Sequence, residues 1–131
     1  MEQSPATGLP RVIGVVGAIG FLLTGVGAMA APESFFDAVA TFEPYNQHFI
    51  QDIGSFNLGL GVVLALAVRP RTDALFVALA GAAVGSGAHV VSHVIGWDLG
   101  GQPELDVPLF ALLTILLTVG AASRWRSITP S

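Results

Sequence analysis

The sequence has no cysteine and no lysine, and only one tyrosine. Without cysteine there is no disulfide, no thiolate nucleophile and no iron–sulfur or thiolate-bound zinc site, which leaves histidine, carboxylate and methionine as ligands for any metal. Five arginines are the whole basic complement against nine acids, giving a formal charge of −4. A nucleic-acid partner would lack the electrostatic attraction that dominates such binding, so that function class is excluded. Charge of either sign is scarce: 11% of the 131 residues are charged, whereas 53% are hydrophobic and the mean hydropathy is +0.73. Soluble domains carry about a quarter charged residues, and a chain this apolar does not stay unfolded in water. It reads as a membrane protein with a single domain over residues 1–131.

A bilayer core of about 30 Å requires roughly 20 apolar residues per helix. Four stretches approach that length between clear breakers, at about Val12–Ala31, Gln47–Val68, Asp73–Gly96 and Pro108–Ser123. Pro32 and Pro44 bracket the first outer connection, Arg69-Pro70-Arg71 separates the second and third spans, and Asp73 would suit the N-terminal end of a helix dipole. The expected fold is all-α, a four-helix membrane bundle. Ala28-Met29-Ala30 after an apolar run also fits a secretory cleavage site; the late Arg11 and the glycine-broken run fit a span better.

Arginine-bearing loops stay on the cytoplasmic side. Arg11, Arg69, Arg71, Arg124 and Arg126 all fall on one side of a four-crossing chain, which predicts cytoplasmic termini and a multi-pass protein of the cell membrane. The outer connections hold Glu33, Asp37, Glu43, Asp98, Glu104 and Asp106, with Tyr45 and Trp97 placed for an aromatic belt. Phe35, Phe36, Val39 and Phe42 recur at helical spacing in the first outer loop, as in a short interfacial helix or a lid packed on the bundle. Gly14, Gly17, Gly20 and Thr24 on span one, and Gly81 with Gly85 on span three, are small residues of the kind that let membrane helices approach closely.

Ionisable groups inside a span are costly and need a partner or a task. His48 and Asp52 lie one turn apart on span two, and His89 and His93 one turn apart on span three. In an antiparallel hairpin, residues whose numbers share one total lie at one height. His48 with His93, Asp52 with His89, and Ser55 with Ser86 all do so, and Gly59 and Ala82 beneath them are small. This predicts an outward-facing polar slot between spans two and three, with Ser55 and Ser86 lining it for a ligand. Asp52 is the sharpest clue, because Arg69, the nearest arginine along its helix, is roughly 25 Å away. A bound cation, a protonated histidine or a proton on the carboxyl must compensate it. Three imidazoles and a carboxylate suit zinc, iron(II) or copper(II) by ligand type, with redox chemistry as an extension. Haem fits less well, since Asp52 would then be unexplained. Asn57 is expected to hydrogen-bond between helices, and Thr114 and Thr118 to bond their own backbone.

The "P-E-S-F-F" segment after the first span and the "N-Q-H-F-I-Q-D-I-G" that opens the second resemble the small four-span bacterial membrane proteins grouped as DoxX-like, most of them uncharacterised. The resemblance implies a compact four-helix bundle and supplies no catalytic residues. Two functions remain open from the sequence. One is a transition-metal site at His48, Asp52, His89 and His93. The other is an accessory or small-molecule-binding subunit of a larger membrane complex, in which those four form a structural polar network. Partners are the lipid bilayer and either another membrane protein or a second copy. No oxyanion hole accompanies Ser55 or Ser86, so catalysis is not established.

Overall fold

The computed structural model describes residues 8–69, 74–99 and 101–129. These fold as α1 (Leu9–Ala30), the short α2 (Pro32–Phe35) running into a single π-helical turn (Phe36–Ala40), α3 (Gln47–Ala67), α4 (Ala74–Ile95) and α5 (Pro103–Ile128). Helices α1, α3, α4 and α5 are long and apolar enough to cross a membrane. The protein is an all-α, multi-pass membrane protein. The expected turn at Pro70 and Arg71 and the expected helix-start role of Asp73 lie outside the described residues.

Glycine decides which helices pair. A Cβ on Gly25 would lie 2.7 Å from the Leu58 amide nitrogen and 2.9 Å from the Gly54 carbonyl oxygen, and one on Gly61 would lie 2.9 Å from the Leu22 amide nitrogen. Helices α1 and α3 therefore meet backbone to backbone, a contact that only small residues allow. Helix α4 packs chiefly on α5, α1 also meets α5, and α3 touches α4 far less. The core between them is aliphatic: Leu64, Leu75, Leu79 and Leu117 are fully buried.

The two ends of the bundle differ in charge. The arginine end carries Arg69, Arg124 and Arg126; the acidic end carries the two connections with Glu33, Asp37, Glu43, Asp98, Glu104 and Asp106. Arg124 was expected as a loop marker but is buried within α5, where its guanidinium donates to the Ser127 hydroxyl at 3.3 Å. At the acidic end the first connection folds back as a lid. Phe36 is buried with Ala28 and Ile50, and its ring meets Phe42 and Tyr45 edge-on at 6.0 and 5.1 Å. Val39, on the far side, is exposed. The Asn46 side chain accepts from the Phe49 amide at 3.1 Å and so caps α3.

Helix α5 begins five residues before the expected span. Pro103 occupies a first-turn position, where its missing N–H is no loss. The Asp106 carboxylate reaches back to accept from the Gln102 amide at 3.0 Å, as in a capping box. Pro108 is then the sixth residue of the helix, where it removes the bond that an amide there would give to the Glu104 carbonyl. This extension brings Asp106 and Phe110 opposite the end of α4.

Candidate functional site

The expected slot between spans two and three is not what the geometry builds, and the four ionisable residues form two separate pairs. His48 Nε2 lies 3.6 Å from Asp52 Oδ2 on α3, with side chains 88% and 53% exposed. Such an exposed pair contributes little stability. His89 and His93 instead face α5. The reason is the pairing of helices: α3 spends its small-residue face on α1, and α4 turns its polar residues toward α5. A Cβ on Gly59, the residue expected to narrow the slot, would meet nothing within 4 Å. Ser55 donates to the Asp52 carbonyl of its own helix at 2.8 Å, whereas Ser86 meets Thr114 of α5. Asn57 bonds the Ile53 carbonyl of its own helix at 2.8 Å rather than a neighbour. Among the described residues no group of three or more His, Asp or Glu side chains is placed to hold one metal ion.

What the structure assembles is a polar seam between α4 and α5, running from Ser86 up to Asp106. At its deep end the Thr114 hydroxyl lies 2.8 Å from the Phe110 carbonyl oxygen and 3.0 Å from the buried Ser86 hydroxyl. Thr118 likewise donates to the Thr114 carbonyl at 2.7 Å, as expected for a hydroxyl in a membrane helix. One turn above Ser86 the ring of His89 stacks on Phe110 with centroids 4.2 Å apart. His89 Nε2 and His93 Nε2 then converge to 2.9 Å, their rings parallel to within 3°. On its other side His93 Nδ1 is 3.8 Å from Asp106 Oδ2, both side chains being mostly buried at 24% and 19% exposure.

The order Asp106–His93–His89 has a definite chemistry. The Asp106 carboxylate, 3.8 Å from Nδ1, favours the tautomer with the proton there, and in that tautomer His93 Nε2 carries the lone pair. That lone pair points at the same spot as His89 Nε2. The two nitrogens can share one proton as an N–H···N hydrogen bond, or both can bind one cation.

The second connection closes over Asp106. Gly101 has φ +80°, a conformation that glycine tolerates and other residues rarely adopt. Its amide donates to the Thr41 carbonyl at 3.4 Å, tying the lid to the seam. Thr41 itself has φ +26°, unusual for a β-branched residue, and ends the π-helical turn by donating its amide to the Phe36 carbonyl at 2.9 Å. Desolvation first, and the Glu33 and Asp37 carboxylates second, hold the Tyr45 phenol above its ordinary pKa.

Asp106 was missed as a site residue because the fourth span was read as starting at Pro108, and Phe110, inside that span, because spans two and three were expected to pair. The usable signal was Pro103 followed by Glu104 and Asp106, a helix-start pattern that would have set α5 in register with His93. Comparison with protein families, curated proteins and solved structures returns no match for this chain.

Proposed function

We propose that this membrane protein binds a divalent transition metal at the acidic end of its bundle, with His89 and His93 as ligands and Asp106 orienting His93. The observation that carries this reading is the convergence of His89 Nε2 and His93 Nε2 to 2.9 Å while the second nitrogen of His93 faces a carboxylate. Metal-bound histidines habitually present their other nitrogen to a carboxylate or carbonyl, which fixes the tautomer and raises ligand basicity. Zinc binds imidazole nitrogen at about 2.0–2.1 Å, which sets two nitrogens about 3.3 Å apart in tetrahedral geometry. The pair therefore has to open by about 0.4 Å, and its rings to turn so that both lone pairs meet at the ion.

The competing reading, a hydrogen-bonded clasp between α4 and α5 in an accessory subunit, is favoured by the same 2.9 Å separation, an ordinary N–H···N distance. Equilibrium dialysis of detergent-purified protein against zinc separates the two. The metal reading expects saturable zinc that is lost in His89→Ala and His93→Ala and retained in His48→Ala. A clasp expects no zinc in any of them, and unfolding at lower temperature in the two α4 variants.

A further inference from the structure

The first outer connection is lightly anchored and holds a strained residue at the point where it meets the second. We propose that this connection, residues 32–46, is a lid that opens and closes over the folded bundle, with Thr41 as its strained latch. Release of Thr41 from Gly101 uncovers the Asp106 flank of the histidine seam to the outer solvent. Such opening goes beyond the metal reading and does not require it.

Three features of Thr41 point the same way. Its φ of +26° and ψ of 32° put a β-branched residue in the left-handed region, which such side chains avoid. Its hydroxyl oxygen is sealed from solvent and, among the described residues, has no hydrogen-bond partner. A buried polar group left in that condition destabilises the state that buries it. Its carbonyl accepts from the Gly101 amide at 3.4 Å, beyond the usual N–H···O range. The closed form thus carries costs at Thr41 that an open form sheds, because there the backbone relaxes and the hydroxyl meets water. Backbone outliers of this kind gather at clamps and switches.

The rest of the lid is held by little. Among its described residues Phe36 is the one buried side chain, and it packs on Ala28 and Ile50 in a small cluster apart from the aliphatic core. Segments with few buried contacts open without unfolding the whole protein. Both ends of the lid adjoin non-helical backbone, Ala31 with φ −141° and Asn46 with φ −135°, so the lid can swing while α1 and α3 stay in place. Its motion reaches the seam through Gly101. A Cβ there would lie 3.5 Å from Asp106 Oδ2, so Gly101 borders the carboxylate. The same oxygen accepts from the Gln102 amide and faces His93 Nδ1. Without the Thr41 carbonyl the backbone at 101 and 102 is free to move off that oxygen.

The test is hydrogen–deuterium exchange of the full chain in detergent, read by mass spectrometry on fragments from both connections and from the middles of α3 and α4. Wild type is compared with Thr41→Gly and Gly101→Ala. Glycine adopts the Thr41 backbone without strain and brings no hydroxyl, so it favours the closed lid. Alanine at Gly101, where φ is +80°, strains the closed second connection and favours the open lid. In wild type the amides of Thr41, Gly101 and Gln102 should exchange roughly 100-fold faster than those of the helix middles. Thr41→Gly should slow exchange at Gly101 and Gln102 by roughly fivefold, and Gly101→Ala should speed it at Thr41 by a similar factor, with helix content unchanged. Connections that exchange no faster than the helix middles, or a response confined to the substituted connection, would overturn the lid. Zinc release into excess chelator should slow in Thr41→Gly and quicken in Gly101→Ala at an unchanged Kd; release rates equal in all three forms would overturn its control of access. Protein that binds no zinc would count against the metal reading alone, since the exchange measurement decides the lid without it.

Discussion

An imidazole has two nitrogens, and in His93 they face different partners: Asp106 on one side and His89 on the other. That makes Asp106 a positioning residue, and its neutral isostere tests the role. Asp106→Asn keeps the shape and can still accept from the Gln102 amide, but it no longer holds the His93 proton on Nδ1. Zinc affinity measured by competition with a chelator should fall roughly 10- to 100-fold while the helix content stays unchanged. Tyr45 gives a second residue-scale prediction. It is the sole tyrosine, so phenolate absorbance reports it alone. Its midpoint should lie above that of free tyrosine and move down when Glu33 and Asp37 are both replaced by neutral amides. A folded-state pKa that is raised means the native state holds the proton more tightly, so this group's contribution to stability is present below the ordinary phenol pKa and is lost as pH rises through the folded value. At this scale the sequence exposed the His89–His93 pair through its one-turn spacing. It could not show that Asp106 was the carboxylate beside it, because that depends on which helix faces which.

Among the helices, close approach is governed by where a Cβ has room. Gly25→Ala places a carbon 2.7 Å from the Leu58 amide nitrogen, and the backbones of α1 and α3 must separate. A destabilisation of about 1–3 kcal/mol is expected, read as a lower unfolding temperature in detergent. Gly20→Ala is the control: nothing lies within 4 Å of the new carbon, and alanine favours helix by up to about 1 kcal/mol over glycine. Equal destabilisation by the two would contradict the α1–α3 interface described here. The four long helices were legible from apolar length and from proline and arginine punctuation. Their partners were not. A shared register between spans two and three is what any antiparallel hairpin would offer, and it is silent about Gly25, Gly54 and Gly61, whose contacts commit α3 to α1 instead. The G-x-x-x-G of α4 was visible as a motif, but only the structure shows that its groove is left open inside the chain.

For the molecule as a whole, the separation of arginines from acids along the sequence becomes two chemically distinct ends, with the histidine seam and its lid at the acidic one. By the positive-inside rule the arginine end is expected on the cytoplasmic side. Single cysteines introduced at Asp98 and at Arg126 of this cysteine-free chain should react with a membrane-impermeant thiol reagent from opposite sides, Asp98→Cys from outside intact cells and Arg126→Cys only after permeabilisation. Labelling of both from one side would contradict the even number of crossings. The central claim, that His89 and His93 form the metal-binding pair, is tested most directly by nitrogen NMR of protein labelled with ¹⁵N-histidine. The chain has three histidines, so each can be assigned with one alanine variant. On adding zinc, the Nε2 signals of His89 and His93 should both shift to coordinated values, with the His93 proton held on Nδ1 and the His48 signals unmoved. Zinc-independent spectra, or a shift confined to His48, would contradict it.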